Sequence, residues 1–257
     1  MKISFRACSS ICLDERLGSE AYRRGSVRWE VRNLDAEFIQ PAPFTMTLAI
    51  LGATGSVGRH VVSQALERGH AVSALVRSPD KLRDQHPDTD ASQVAAIEGD
   101  ALDPDAVART VRGSDAVVVT LGAGRSGRVR AEGTRNAVGA MQAHGVQRLV
   151  VQSTLGTGES WDNLNWFWKW VMFRGLLRPA FADHEEQERV VRASGLAWTI
   201  IRPGAFTDGP LTGQYRHGFA RDDRSITLKI SRADVAHFVL GQIADDTYVR
   251  RCPGLSY

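Results

Sequence analysis

Three glycines, Gly52, Gly55 and Gly58, punctuate the run Gly52-Ala53-Thr54-Gly55-Ser56-Val57-Gly58 at GxxGxxG spacing. That spacing suits a chain that turns sharply and brings its N–H groups, those of Thr54, Ser56 and Val57 included, against a pyrophosphate. Further along stand Arg77-Ser78, Asp100, Leu121-Gly122, Ser153-Thr154 and Asp183-His184-Glu185-Glu186. A guanidinium beside a hydroxyl can hold a phosphate through several charge-assisted hydrogen bonds. Hydroxyls such as those of Ser153 and Thr154 can orient an amide or an acceptor, and histidine is suited to proton donation near neutral pH. None of Tyr22, Tyr215, Tyr248 or Tyr257 has a lysine four positions on, so the acid–support pair of ordinary alcohol–ketone hydride transfer is missing.

The elements that must position these residues alternate along the chain. Leu48–Leu51 is a short, continuous apolar run of the kind buried on both faces. After the glycine turn, apolar positions at helical spacing predict a helix over about residues 57–68, ended by Gly69. Strands follow at Ala71–Val76 and Val94–Glu98, and Asp103-Pro104 is a helix start. Ala116–Leu121 reads as a fourth strand, a helix runs to His144-Gly145, and Val146–Gln152 reads as a fifth strand. Regularity fails from Thr154 to Asp183; a helix over about His184–Ala193 and a sixth strand, Ala197–Ile201, come next. Arg202–Gln214 reads as loop, Ser225–Lys229 as a short strand, and Ser231–Asp234 as a capping box opening the last helix.

This alternation predicts one α/β domain, a Rossmann-type doubly wound parallel sheet over residues 46–257, with substrate loops at 154–183 and 202–215. The glycine turn then lies between a buried strand and a helix, where it binds a dinucleotide. At the end of the second strand an acidic residue would favour NAD, whereas Arg77-Ser78 favours the 2′-phosphate of NADP(H). Asp100 either caps the adenine pocket or merely terminates its strand. Leu121 and Gly122 fall at the carboxyl end of the fourth strand, where the cofactor cleft of an open sheet lies.

Composition narrows the partners. A net charge of +3 on 257 residues is too small to make nucleic acid the main partner. No apolar run approaches the roughly 18 residues of a membrane span. Cys8, Cys12 and Cys252 form neither a CxxC nor a metal-ligand pattern, which points to a reducing cytoplasm. Residues 1–45 carry seven basic and six acidic side chains without hydrophobic periodicity, and read as a poorly ordered extension. Between Gly156 and Ala182, Trp161, Trp166, Phe167, Trp168, Trp170 and Phe173 crowd together. They fit a lid over a flat substrate, a dimer or membrane-surface contact, or ordinary core. Monomer and homodimer both remain open.

The glycine run and the Arg77 strand ending resemble the atypical, NmrA-like short-chain dehydrogenase/reductases, most of all their flavin reductase (biliverdin-IXβ reductase) branch. Ala131–Asn136, Met141–Val146, Gly209–Gly213 and Ile230–Phe238 extend the resemblance across residues 46–257. It implies NADPH-dependent reduction of a flavin or a similar flat conjugated acceptor, with Thr154 matching the reductase's active-site serine and Asp183-His184 its Asp-His. Two stretches depart from the pattern. Arg202–Phe206 lacks the reductase's loop histidine, and the aromatic segment differs. The same group includes proteins that hold NADP without turnover, as redox sensors or assembly factors, and the missing Tyr–Lys pair keeps that alternative open. An epimerase using bound nicotinamide internally is a third reading, without an evident acid–base pair.

Overall fold

The computed structural model describes residues 45–257 apart from 88, 91 and 123–127; the N-terminal extension therefore lies outside the described residues. Alternating apolar residues decide the architecture. Leu48 and Ile50 of β1 (Thr47–Leu51) join one core with Val61, Val62 and Ala65 of α1 (Gly58–Glu67) and Val235, Phe238 and Val239 of α6 (Arg232–Ala244). Ala49 and Leu51 point the other way. They join a second core with Val107 of α3 (Pro104–Val111), Met141 of α4 (Val129–His144) and Val191 of α5 (Arg178–Ala193). A strand buried on both faces has no polar side to show, so it reads as an unbroken apolar run.

Between the helices lies an eight-stranded sheet, order β3-β2-β1-β4-β5-β6-β10-β8. Its strands are β2 (Ala71–Val76), β3 (Val94–Glu98), β4 (Ala116–Val119), β5 (Arg148–Gln152), β6 (Ala197–Pro203), β8 (Arg216–His217) and β10 (Gly254–Ser256), flanking β1. All neighbours pair parallel except β8, which runs antiparallel to β10 at the edge. β7 (Ala205–Thr207) and β9 (Lys229–Ser231) form a separate parallel pair. Because β1 is flanked by β2 on one side and β4 on the other, chain order reverses there, opening a crevice above the carboxyl ends of the strands. The doubly wound, Rossmann-like sheet expected from the sequence is present.

Several boundaries differ. The supposedly irregular stretch 154–183 holds a 3-10 helix, Gly158–Asn163, and a π-helix, Phe167–Leu176, and α5 begins at Arg178 rather than His184. Pro179 explains the early start, since its fixed φ and missing N–H suit a helix's first turn. The sequence also hid α2 (Pro79–Gln85), β8 and β10, the expected loop Arg202–Gln214 holds the end of β6 and all of β7, and the strand expected at Ser225–Lys229 is shifted to β9. The Ser231 box is half formed. Ser231 Oγ accepts from Asp234 N at 3.0 Å, while the Asp234 carboxylate turns to Thr212, Gly213 and Tyr257.

Candidate functional site

The glycine turn is built by exclusion of side chains. Gly52 has φ +93°, and a Cβ there would meet Thr120 O at 2.7 Å. Gly55 N donates to Gly52 O at 2.9 Å, closing the turn. A Cβ on Gly58 would come within 2.0 Å of Gly52 O, so only glycine lets α1 start directly against the turn. The helix's positive end then faces whatever Thr54, Gly55, Ser56 and Val57 surround. Gly58 itself does not line the cavity; its task is packing.

A cavity of about 980 Å³ opens in front of this turn and crosses the carboxyl ends of β1, β2, β4, β5 and β6. Gly52, Thr54, Gly55, Ser56, Val57, Arg77, Asp100, Leu121, Gly122, Ser153, Thr154 and His184 all line it, so the structure assembles nearly every residue singled out in the sequence. Besides Gly58, Ser78 is the exception. It is the N-cap residue of α2, makes no capping bond with its side chain, and lies outside the cavity wall. The cavity's second cation at this end is instead Lys81, on the first turn of α2, which stayed hidden because that helix was not foreseen. Asp100 accepts from Leu102 N at 2.9 Å in the tight turn that follows β3, and it lines the cavity.

The far end of the cavity separates the three residues expected to do chemistry. Ser153, at 1% exposure, donates from Oγ to Glu188 Oε1 at 2.8 Å. Thr157 and Arg202 Nε donate to the same oxygen, and Arg202 also meets Glu188 Oε2 at 2.6 Å. Burial raises the Glu188 pKa, but the Arg202 hydrogen bonds and charge outweigh it and leave the carboxyl below its ordinary value. Ser153 is thus tied into a buried ion pair. Thr154 is half-buried, with Oγ1 at a long 3.4 Å from Leu155 O, and lines the cavity beside Ser153.

His184 stands in the second turn of α5 and not at its opening. It is 8% exposed, and its Nδ1 meets no hydrogen-bonding partner among the described residues. Burial, then the Arg130 charge, lower its pKa to about 3 against the weaker pull of Asp183, Gln187 and Glu188. The ring is neutral near pH 7, which corrects the expectation of a ready proton donor; it can still donate or accept one hydrogen bond. Asp183 serves the fold. Its carboxylate accepts the N–H groups of Arg130 and Ala131, each at 3.1 Å, capping the first turn of α4. Glu186 bonds Arg135 and Arg189 at the surface.

The aromatic segment forms the outer wall. Trp168 and Phe173 line the cavity with Leu164 and Leu177, over a small core containing Leu155 and Ile226. The inner part of the aromatic segment therefore packs as core while it lines the cavity. Pro203–Phe206, within the Arg202–Phe206 stretch that departs from the reductase pattern, also line the cavity. Among the described residues, no tyrosine lines the cavity.

A family model described as NAD(P)H-binding matches residues 52–246. The chain belongs to this NAD(P)H-binding family. A Bacillus subtilis protein named as an uncharacterized sugar epimerase is 28% identical over 206 residues, covering 77% of this chain and 88% of that one. Among solved structures, an anaerobilin reductase from Escherichia coli O157:H7 is 24% identical at TM-score 0.67, covering 82% of this chain and 96% of its own. A short-chain dehydrogenase/reductase from Veillonella parvula, solved with NADP, is 20% identical at TM-score 0.68, covering 82% and 94%. At those identities the likeness is one of fold. The cavity fits the cofactor of this NAD(P)H-binding family: a glycine turn that tolerates no side chain, a helix N-terminus facing the cleft, and cations at one end.

Proposed function

We propose that this NAD(P)H-binding protein is an NADPH-dependent reductase that passes hydride to a flavin or another flat, conjugated acceptor. What supports the reading best is the continuity of one cavity from the Arg77–Lys81 pair, past Thr154, to the Trp168–Phe173 wall. Arg77 and Lys81 hold the 2′-phosphate, and the glycine turn takes the pyrophosphate through backbone N–H groups and the α1 dipole. When bound, the reduced nicotinamide supplies the hydride. Thr154 orients its carboxamide or the acceptor, His184 offers a neutral ring nitrogen, and Trp168 and Phe173 exclude water and stack on the acceptor. A flavin needs no strong protein acid, because it takes its proton from solvent. Holding the rings in a reactive geometry is then the main contribution, on the order of 7–11 kcal/mol at best. The epimerase name of the Bacillus subtilis relative has less support here, since an epimerase moving hydride and proton needs an acid–base pair and the neutral His184 stands without a tyrosine in the cavity.

The test follows NADPH oxidation by the full chain with FMN and riboflavin as acceptors against an enzyme-free control. Saturable turnover is expected. Tight NADPH binding with no turnover on any flat acceptor would overturn the reductase reading in favour of a cofactor-holding sensor.

A further inference from the structure

Of the large apolar residues exposed among the described residues, most sit in one short stretch. Trp166 is 69% exposed, Phe167 50%, Trp170 51%, Val171 41% and Leu176 49%. The inner side of the same π-helix is anchored, for Phe173 packs on Phe181 at 4.7 Å and on Trp168 at 5.7 Å. One element therefore walls the cavity with one face and offers a broad aromatic face outward. Scattered exposed apolar residues need no explanation, but a contiguous patch does.

Charge identifies what covers it. Lys169, Arg174 and Arg178 punctuate the segment, and no aspartate or glutamate occurs from Leu164 through Ala182. The Arg174 guanidinium lies 4.5 Å over the Trp170 ring, so cation and aromatic share the outer face. Acids bordering the segment are largely engaged. Asp162 pairs with Arg221, the exposed Glu159 with Arg202, and Asp183 is buried under Arg130, leaving Glu185 as the bordering exposed acid with no ion pair among the described residues. A second copy docked face to face across a two-fold axis would bring these cations against their own counterparts, which is unfavourable. Tryptophan and phenylalanine mixed with Lys and Arg match instead the boundary of a bilayer with anionic headgroups. No helix of the described residues is long and apolar enough to cross a membrane, so the contact is superficial.

We propose that the outer face of the Phe167–Leu176 π-helix docks on an anionic lipid surface. Trp166, Phe167 and Trp170 enter the headgroup region while Lys169, Arg174 and Arg178 meet lipid phosphates. On the reductase reading, the acceptor end of the cavity then lies directly behind the docked face, and acceptors partitioned into lipid are favoured. The docking itself does not rest on that reading.

The experiment uses the full chain with NADP⁺ and no acceptor, so it is independent of turnover. The protein is sedimented with vesicles of phosphatidylcholine alone or mixed with phosphatidylglycerol. Binding to the anionic vesicles is expected, weakening with salt. A Trp166→Ser/Trp170→Ser variant loses roughly tenfold or more in affinity, as removal of two membrane-buried indoles requires, and a Lys169→Gln/Arg174→Gln variant loses the preference for anionic lipid. Retained NADPH binding, read by nucleotide fluorescence, shows that both variants are folded. Absent vesicle binding, or binding unchanged in both variants, would overturn the proposal. A dimer in sedimentation velocity that dissolves in the tryptophan variant would also overturn it, by making a second copy the occupant.

Discussion

Ser153 Oγ donates to Glu188 Oε1 at 2.8 Å, and that one oxygen also accepts from Arg202 Nε at 2.9 Å. The strand end that carries Thr154 is thereby fastened to α5 and β6 through a buried carboxylate, 5% exposed, facing a guanidinium 1% exposed. Of the two adjacent hydroxyls, that of Ser153 is engaged by the scaffold, whereas that of Thr154 makes only a long 3.4 Å contact to Leu155 O.

Removing Glu188 tests the scaffold. Glu188→Ala leaves Arg202 charged in the interior with only the half-exposed Glu159 near it, and a cost of about 3–5 kcal/mol in urea denaturation is expected. Ser153→Ala removes one hydrogen bond and costs about 1 kcal/mol, with turnover little changed. Thr154→Val instead lowers turnover while leaving stability and NADPH binding near wild type. A turnover loss in Ser153→Ala matching that of Thr154→Val would reverse the two assignments. Because Glu188 has its folded pKa below the ordinary 4.5, its stabilisation is complete above that value and fades as pH falls through the lower folded one. Glu188→Gln flattens the acid limb of the stability curve.

His184 makes a second pH prediction at higher values. Its pKa falls from 6.5 to about 3 on folding, so between those values the unfolded chain binds a proton that the folded chain does not. Stability is full above pH 6.5 and declines on acidification, by about 1.4 kcal/mol per pH unit at most. In His184→Gln that slope disappears between pH 6 and 4, roughly, as measured by thermal unfolding in a pH series. The same neutrality predicts no histidine-like inflection in the pH profile of kcat; one near pH 6.5 that vanishes in His184→Gln would show an imidazolium at work.

Legibility divides along physical lines. Leu48–Leu51 and Ala116–Val119 could be read because strands buried on both faces leave continuous apolar runs, and the glycine turn because its spacing is dictated by backbone approach. Ser153 and Thr154 were indistinguishable, since which of them turns inward depends on Glu188, 35 residues from Ser153 in sequence. His184 looked like a helix opening because it stands in the polar run Asp183–Glu186, and aspartate is a residue that can serve as a cap. Asp183 is one, but for α4, 52 residues earlier at Ala131, and not for its own helix. The β10 strand owes its place to pairing with β6 and β8 and has little periodicity of its own over three residues. Lys81 was missed with α2, although Ser78-Pro79 is a helix-start signal in plain view.

Gly58→Ala is a packing test within the cofactor motif. Its Cβ would sit 2.0 Å from Gly52 O and 2.8 Å from Gly52 C, backbone atoms that cannot move without opening the turn. A loss of roughly 3 kcal/mol and a sharply weakened NADPH affinity are expected together. Gly139 supplies the control. It is exposed on α4, and a Cβ there would meet nothing outside its own helix within 4 Å, so Gly139→Ala is neutral or stabilising. Equal melting temperatures for Gly58→Ala and wild type would remove the packing role from Gly58.

On the proposed reading, Arg77 and Lys81 set the choice between the two nicotinamide cofactors. Both line the cavity beyond the end of β2, and Asp100 is the acidic residue lining that same cavity. If the pair holds a 2′-phosphate, each contributes a charge-assisted interaction of about 1.5–3 kcal/mol, available to NADPH and not to NADH. Arg77→Asp then raises the KM for NADPH by roughly one to two orders of magnitude and barely alters that for NADH. Lys81→Ala does the same more weakly, because an ammonium lacks the planar fork. Losses that are equal for the two cofactors would mean that the cations serve the pyrophosphate common to both, and would overturn the assignment of NADPH.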